Sequence, residues 1–233
     1  MESNNSMIEQ EIAKRFNELS ETQIVSDFAD ENNFEINEVF NFFSNVKGKK
    51  ILDVGCGKGK FSRILVQKGA IITGIDPSLK LLEYTKDIKD GKFQIGTATD
   101  LRFEDEEFDY VFAIEVIEHI PEYKRAIREM VRVLKKGGKI CIIDKNIIGL
   151  TYRFLFPFLL LKKIKEYTNN WMYPKDFPFK EKWFFPWEVK QELDKYCSKT
   201  FIRYLRMVED KNIKNIFKIA PYFNLVVSWR GIK

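Results

Sequence analysis

Short apolar runs alternate with amphipathic stretches between residues 50 and 144, and this alternation most constrains the fold. Five runs of three to six residues are separated by segments whose apolar residues recur at helical spacing. Parallel strands need a crossover connection, so the alternation predicts βαβ units. It indicates an α/β fold: a doubly wound, mostly parallel seven-stranded sheet with helices on both faces. The runs are Ile51–Val54, Ala70–Ile75, Phe93–Ile95, Tyr110–Ile114 and Lys139–Ile143, and helices are expected near 60–68, 78–88 and 122–135, the last ending at Gly137-Gly138.

Further segments flank this region. Residues 7–20 and 36–46 carry apolar side chains at helical spacing, so two helices are expected before the first strand. After Asp144 the rhythm breaks, because residues 152–187 hold 13 of the 34 aromatic residues and four of the seven prolines. Such a composition predicts a folded insertion and not a flexible linker. The expected organisation is an N-terminal helical cap (1–48) and one domain (49–233) with an insertion at 146–186, a helix near Trp187–Tyr196 and an edge hairpin of Thr200–Val208 and Phe223–Trp229.

The composition excludes several classes of protein. A hydrophobic content of 45% with 34 aromatic residues excludes a disordered chain, collagen and a coiled coil. Three cysteines form neither a zinc-binding spacing nor a disulfide framework, which favours a reduced, cytoplasmic environment. The polar, acidic first ten residues do not resemble a signal peptide, and no apolar stretch is long enough to span a bilayer. The single histidine, His119, excludes any site that needs two.

A glycine-rich loop follows the first predicted strand. Gly55, Gly57 and Gly59 lie in the sequence GCGKG, directly before an expected helix. Glycine tolerates positive φ and lets the backbone approach a ligand, and the helix N-terminus offers unpaired N–H groups. The second strand ends at Asp76, where a carboxylate can accept hydrogen bonds from both ribose hydroxyls of a nucleoside. Lys60 occupies the sixth position of a would-be GxGxxG motif, which argues against a nicotinamide dehydrogenase, and no phosphate-binding GxxxxGK[ST] loop is present.

Five stretches resemble the small-molecule type of class I S-adenosylmethionine-dependent methyltransferases, a family with a Rossmann-like fold. They cover about residues 50–144, and a weaker similarity extends over 183–233. Each stretch alone is modestly specific, but five in the order of the family are a strong combination. They are LDVGCGKG at 52–59, GIDPS at 74–78, Gly96–Phe103, FDYV at 108–111 continuing to EVIEHI at 115–120, and LKKGG at 134–138.

The resemblance implies that S-adenosyl-L-methionine is the cofactor and S-adenosyl-L-homocysteine the product. Asp53 would organise the glycine loop near the methionine moiety, and Asp76 would hold the ribose. Thr97 stands beside the adenine where many relatives have aspartate, and Asp100 is a nearby substitute acid. Cys56 is expected to be a small loop residue and not a nucleophile. The full predicted set of cofactor-binding residues is Asp53, Gly55, Cys56, Gly57, Asp76, Pro77, Thr97, Ala98, Ile114 and Glu115.

Three interpretations of the stretch from Glu115 to His119 stay open. In the first, His119 is a general base that takes a proton from the acceptor hydroxyl. In the second, Glu115, Glu118 and His119 bind a divalent metal, as in some similar O-methyltransferases. In the third, the stretch ends the strand and packs over the cofactor. We select His119 as the predicted catalytic residue and predict no metal ligands, with the three side chains kept as metal-binding candidates.

The aromatic insertion has three interpretations as well. In the resembling family such insertions usually form a lid over the acceptor together with the N-terminal helices, and this is the role expected of 146–186. Alternatively, residues 152–187 contact a membrane, with Phe154–Leu161 as the apolar part and Lys162–Lys165 near anionic headgroups. A dimer interface is the third interpretation, and the sequence leaves the oligomeric state open.

The charge is unevenly distributed along the chain. Its net value is −7 over residues 1–48 and +10 over 145–233, so the positive excess lies with the insertion and the closing strands. The lysines are not interleaved with aromatic residues as a nucleic-acid platform requires, so no nucleic-acid partner is expected. A small-molecule acceptor is expected instead, methylated most readily on oxygen and with an apolar or aromatic body. Two alternatives stay open: a lipid-linked or quinone-like substrate methylated at the membrane surface, and a non-catalytic partner protein that binds S-adenosylmethionine.

Overall fold

Seven strands form one sheet in the computed structural model, which describes residues 2–22, 33–150, 156–169, 171–205 and 216–233. The strands are β1 (Lys50–Val54), β2 (Ile71–Asp76), β3 (Gly91–Ile95), β4 (Phe108–Ile114), β5 (Leu134–Lys145), β6 (Lys199–Leu205) and β7 (Val226–Ile232). Their order is β3-β2-β1-β4-β5-β7-β6, in which β7 runs antiparallel to β5 and β6 and all other neighbours are parallel. The predicted mostly parallel, seven-stranded α/β sheet is confirmed; residues 206–208 of the predicted strand Thr200–Val208 lie outside the described residues.

Helices cover both faces of this sheet, as predicted. They are α1 (Glu2–Leu19), α2 (Phe34–Phe43), α3 (Lys60–Gln67), α4 (Leu79–Leu82), α5 (Tyr123–Arg132), α6 (Phe158–Tyr167), α7 (Pro186–Leu193) and α8 (Ile216–Ile219). On one face α2 and α3 contribute buried residues such as Val39 and Leu65 to an apolar cluster with β1 and β4. On the other face α5 and α7 contribute Met130 and Val189 to a second cluster. Each apolar cluster forms a hydrophobic core between the sheet and the helices on one face, so the sheet is buried on both sides.

Two helices are shorter than the sequence pattern predicts. The segment 78–88 forms only α4 and a 3₁₀ turn at Glu83–Thr85, because the chain turns back toward β3 through a hydrogen bond from Ile88 N–H to the Thr85 carbonyl. The segment 122–135 leaves the helix at Arg132.

Gly137-Gly138 therefore lie inside β5 and do not end a helix, contrary to the prediction. The β4–β5 register shifts near them, between the pairs Phe108–Leu134 and Tyr110–Lys139. Gly137 has a φ of +72°, and a Cβ on Gly138 would lie 2.8 Å from the Asp109 carbonyl oxygen. The glycines thus permit an irregular, close strand crossing that the periodicity of the sequence did not indicate.

The insertion packs many of its aromatic side chains against the sheet. Trp183 and Phe184 are buried; the Trp183 ring lies near those of Phe158 and Trp171, and the Phe184 ring near that of Trp229. Phe154, counted in the predicted membrane-contacting stretch, lies outside the described residues. Among the helices that are described, none is long and apolar enough to cross a membrane.

Candidate functional site

The glycine loop connects β1 to α3 where the strand order of the sheet reverses between β1 and β4. Crevices at such a reversal collect ligands in open α/β sheets. Gly55, Gly57 and Gly59 all adopt positive φ, of 72°, 52° and 76°. A Cβ on Gly55 would lie 2.5 Å from a methyl carbon of Val116, whereas nothing lies within 4 Å of a Cβ placed on Gly57. The loop is therefore tightly packed at Gly55 and open at Gly57.

Asp76 ties this loop to the end of β2. Its carboxylate accepts hydrogen bonds from the backbone N–H of Gly57, at 2.9 Å, and of Ser78, at 2.8 Å. Burial raises the pKa of Asp76 to about 6, although both N–H donors act in the opposite direction. Each carboxylate oxygen keeps a lone pair for a further donor, so the group can accept two more hydrogen bonds.

Asp53 supports the loop from below. The Ser62 hydroxyl donates to its carboxylate at 2.6 Å, and this contact joins β1 to α3. Burial raises the pKa of Asp53 to about 7, with the Ser62 bond lowering it and the charge of Asp76 adding to the rise. Both acids at this edge therefore change protonation near neutral pH, and a bound cation or hydroxyl donor favours their charged forms.

A cavity of about 340 Å³ opens above this edge of the sheet. All ten predicted cofactor residues line it, as do Glu118 and His119. Asp100, the predicted substitute acid, does not: it is exposed, lines a neighbouring cavity and lies 3.6 Å from Arg102. Residues that the sequence reasoning missed complete the walls. They are Glu9, Ile12 and Phe16 of α1, Lys145 at the end of β5, and Trp171, Met172 and Glu181 of the insertion.

Charged side chains meet at the end of the cavity where β4 and β5 terminate. The Lys145 ammonium contacts Glu115 and lies 3.5 Å from Oε1 of Glu118. Burial alone would lower the pKa of Lys145, but the charges of Glu118 and Glu115 outweigh it and raise the pKa. The pKa of Glu118 is raised well above its ordinary value, chiefly by burial and then by the charge of Asp144. Oε2 of Glu118 is buried and finds no hydrogen-bond partner among the described residues.

His119 lies beside Glu118 and is also buried. Its Nδ1 is 3.1 Å from the Tyr173 hydroxyl, and its Nε2 is 3.6 Å from Oε1 of Glu118. The Phe16 ring contacts it edge-on. Burial, with help from the charge of Lys145, lowers the pKa of His119 to about 3, so the imidazole is neutral at physiological pH. The hydroxyl of Tyr173 can donate to Nδ1, which places the ring proton on Nε2, facing Glu118.

The surroundings of Glu115, Glu118 and Cys56 indicate which of the roles considered from the sequence they can fill. Glu115 and Glu118 approach Lys145, and no group of three His, Cys, Asp or Glu side chains within the described ranges is arranged to hold a metal ion. Burial raises the pKa of the Cys56 thiol well above its ordinary value, so the thiolate is disfavoured there. The Cys56 sulfur instead packs against Gly74, where a Cβ would lie 2.9 Å away.

The strand order, the glycine loop and the acid that ends β2 together define a class I methyltransferase fold. Residues 52–142 match the family model for a methyltransferase domain. Residues 52–142 therefore form a methyltransferase domain of the class I S-adenosylmethionine-dependent type, as the motifs predicted.

Curated relatives match over part of their length. The chain is 30% identical over 141 residues to a ubiquinone biosynthesis O-methyltransferase of Coxiella burnetii, which is 56% of this chain and 60% of that protein. It is 34% identical over 152 residues to a demethylmenaquinone methyltransferase of Staphylococcus aureus, which is 57% of this chain and 62% of that protein. The chain thus spans about 60% of the length of these relatives.

Solved structures share the fold across most of this chain. An S-adenosylmethionine-dependent methyltransferase of Mesorhizobium loti superimposes with a TM-score of 0.65 at 14% identity, over 87% of this chain and 99% of that one. A Haemonchus contortus N-methyltransferase solved with S-adenosylhomocysteine and phosphomonomethylethanolamine gives a TM-score of 0.63 at 16% identity, over 87% of this chain and 52% of that one. At these identities the similarity shows the fold alone.

Proposed function

We propose that this chain transfers a methyl group from S-adenosyl-L-methionine to a hydroxyl of a small acceptor with an apolar or aromatic body. One observation carries the proposal: a single cavity holds a nucleoside-type loop at one end and, at the other, Lys145 and Glu118 among Phe16 and Trp171. Such a cavity places a cofactor and an apolar acceptor side by side, each with a polar group to orient it.

The residues present fit the cofactor. The open space at Gly57 lets a ligand approach the backbone closely, and Asp76 has acceptor capacity left for two ribose hydroxyls. Asp53 and Glu115 add negative charge near the loop, which suits a ligand carrying a sulfonium and an ammonium group. When bound, S-adenosylmethionine supplies an activated methyl: the acceptor oxygen bonds to the methyl carbon while the carbon–sulfur bond breaks and its electron pair stays on sulfur.

The protein's contribution to this transfer is to position the acceptor and remove its proton. The Phe16 and Trp171 side chains line the acceptor end of the cavity. Packing of an aromatic acceptor against them orients its hydroxyl toward the methyl group. Glu118 is the group we assign as general base. Its Oε2 lacks a partner among the described residues, and a carboxylate with a raised pKa is a stronger base than an ordinary one. The acceptor proton moves to Glu118, and the charge of Lys145 stabilises the acceptor oxygen as it ionises.

His119, the catalytic residue predicted from the sequence, takes a positioning role in this proposal. A group whose pKa is about 3 is a weak base at neutral pH, whereas its Nε2–H faces Oε1 of Glu118. Tyr173 fixes the ring from the other side. His119 as the base remains the competing assignment, and the pH dependence of turnover separates the two.

The rate of methyl transfer at saturating cofactor is expected to rise with pH through an ionisation that lies above the ordinary range of a glutamate. Glu118 must lose its proton to act, and its raised pKa moves that ionisation to higher pH. Replacing Glu118 by Gln removes the base and should lower turnover by about 100-fold or more while flattening the pH profile. The measurement is S-adenosylhomocysteine release from a panel of catechols, hydroquinones and hydroxylated aromatic acids, followed across neutral and alkaline pH.

The control is His119→Gln, which keeps a hydrogen-bonding side chain and should lower turnover modestly without moving the rise in rate. A rise in rate that disappears in His119→Gln and persists in Glu118→Gln would instead assign the base to His119. Tight cofactor binding with no turnover of any acceptor would favour the non-catalytic, partner-binding alternative.

A membrane-surface version of this function is supported by α6. Leu160 and Ile164 are 45% and 56% exposed on this helix, with Lys163 and Lys165 beside them. An apolar strip next to lysines suits the interface of an anionic bilayer. Two of the relatives are named for ubiquinone biosynthesis and for demethylmenaquinone, which supports a quinone-like acceptor reached from a membrane.

The double variant Leu160→Asp with Ile164→Asp should reduce co-sedimentation with phosphatidylglycerol vesicles more than about tenfold, because two apolar side chains no longer enter the bilayer. Leu79→Asp is the matched control, since Leu79 is 57% exposed at the start of α4, away from α6, and an acid suits a helix start. Equal sedimentation of all three proteins would contradict membrane contact through α6.

A further inference from the structure

Helix α1 forms one wall of the cavity, with Glu9 at the cofactor end and Phe16 at the acceptor end. Glu9, Ile12 and Phe16 follow one another at spacings of three and four residues, so they share a helix face, and all three line the cavity. Ile12 is buried there. The sequence places these residues in an N-terminal segment with no recognisable motif, so the contact of α1 with the nucleoside end is a product of the fold.

The Glu9 carboxylate is held in place by two hydroxyls from the loop after β3. Thr97 donates to one of its oxygens at 3.1 Å, and Thr99 donates to the other at 3.0 Å. The two hydroxyls also lie 3.0 Å from each other. The Thr99 hydroxyl also lies 3.3 Å from Oε2, the oxygen that Thr97 contacts, so Oε1 is the oxygen that keeps a lone pair and Glu9 is oriented and still able to accept another hydrogen bond.

We infer that Glu9 recognises the adenine of the cofactor by accepting a hydrogen bond from its exocyclic amino group. The inference rests on the proposed function, because it deepens the same binding site. Asp76, which is suited to the ribose, lines the same cavity as Thr97 and Ala98, the residues that the family resemblance places beside the adenine. An adenine amino group is a donor and needs an acceptor on that side. Glu9 supplies a charged acceptor there, which makes α1 part of the nucleoside site.

Asp100 is less suited to this role. Glu9 and Thr97 line both cavities, whereas Asp100 lines only the neighbouring one, is exposed and is paired with Arg102 at 3.6 Å. Thr97 alone offers only a hydroxyl, and its proton is already donated to Glu9. The loop after β3 has a threonine, and not an acid, at position 97. Glu9, 88 residues earlier in the sequence, therefore provides the carboxylate from helix α1.

Two further contacts fix α1 in the position that this role requires. The Ser78 hydroxyl and the Lys80 backbone N–H both donate to Oδ1 of Asn17, at 2.6 and 3.2 Å, which joins the end of α1 to the start of α4. Arg15 Nε donates to the Met172 carbonyl at 2.8 Å, which joins α1 to the insertion. These contacts lie outside the adenine end, so a change at Glu9 leaves the helix anchored.

The test compares two ligands by calorimetry: S-adenosylhomocysteine and S-inosylhomocysteine, whose base carries a carbonyl oxygen in place of the amino group. The native protein should prefer the adenosyl ligand by about 100-fold or more, because a carboxylate repels that oxygen. Glu9→Gln presents an amide that can donate to the carbonyl, so the preference should fall to about tenfold or less. Glu11→Gln, an exposed acid on the same helix, should keep the native preference.

The outcomes separate the two proposals. If Glu9→Gln discriminates as strongly as the native protein while both bind S-adenosylhomocysteine, the role of Glu9 is overturned and the proposed function stands. If the native protein binds neither ligand, both are overturned. Hydrogen exchange gives a second readout: at saturation, backbone amides of residues 7–19 should exchange more slowly with the adenosyl than with the inosyl ligand, and equal rates would count against Glu9.

Discussion

Replacing Asp76 with Asn is expected to weaken S-adenosylhomocysteine binding by about 30- to 1000-fold. The carboxylate holds the N–H groups of Gly57 and Ser78 and has two acceptor sites left, whereas an amide offers one oxygen and adds a donor. Loss of a charged acceptor from a buried set of hydrogen bonds costs about 2–4 kcal/mol, which sets the range given. Calorimetric titration of the purified protein measures it directly.

Asp90→Asn is the matched control for this substitution. Asp90 is an exposed acid before β3, so removing its charge should leave the affinity unchanged. The thermal unfolding midpoint of Asp76→Asn shows whether the loop survives the change. A folded variant with native affinity would contradict the assignment of Asp76 to the ribose, and a loss shared with Asp90→Asn would indicate an effect of net charge only.

Gly55→Ala should be among the most destabilising single substitutions in the loop. Its φ of +72° costs a residue with a Cβ about 1–2 kcal/mol, and that Cβ would stand 2.5 Å from a Val116 methyl. The backbone cost and the overlap together predict a loss of about 3 kcal/mol or more, or a fall of about 6–12 °C in the unfolding midpoint. Cofactor affinity should fall as well, since Val116 and Gly55 both line the cavity.

Two other glycines serve as controls because they isolate the components of this effect. Gly48 has nearly the same φ, +71°, with nothing within 4 Å of a Cβ placed on it, so Gly48→Ala shows the backbone cost alone. Gly57→Ala, at φ +52° and also in open space, should lose about as much stability as Gly48→Ala but considerable cofactor affinity, because its methyl lies where the ligand approaches. Equal midpoints for Gly48→Ala and Gly55→Ala would show that Val116 moves aside without cost.

Sequence reasoning succeeded where the deciding interactions are local. The strands of the sheet, the positive φ of Gly55 and Gly57 and the placement of Asp76 at a strand end follow from patterns a few residues long. It failed at Gly137-Gly138, because a glycine pair can end a helix or relieve a close strand crossing. The close approach of the Asp109 carbonyl to Gly138, which favours the strand crossing, comes from a residue distant in sequence.

The candidate site shows the same limit. Lys145 was within reach of sequence reasoning, because it ends the strand next to Glu115 at the edge where ligands collect. Glu9 was not, because nothing in the sequence of α1 indicates that Thr97 and Thr99 will hold it. His119 was singled out from the sequence, but its low pKa arises from burial, with the rings of Phe16 and Tyr173 against it, which a local pattern does not reveal.

The position of β7 has a consequence for how the chain acquires its structure. During synthesis β6 emerges before β7, yet β7 lies between β5 and β6 in the finished sheet. Until residues 226–232 leave the ribosome, the apolar edge of β5 has no neighbour, and β6 has no strand to join. That unpaired edge is a template for association with other chains until β7 inserts between β5 and β6.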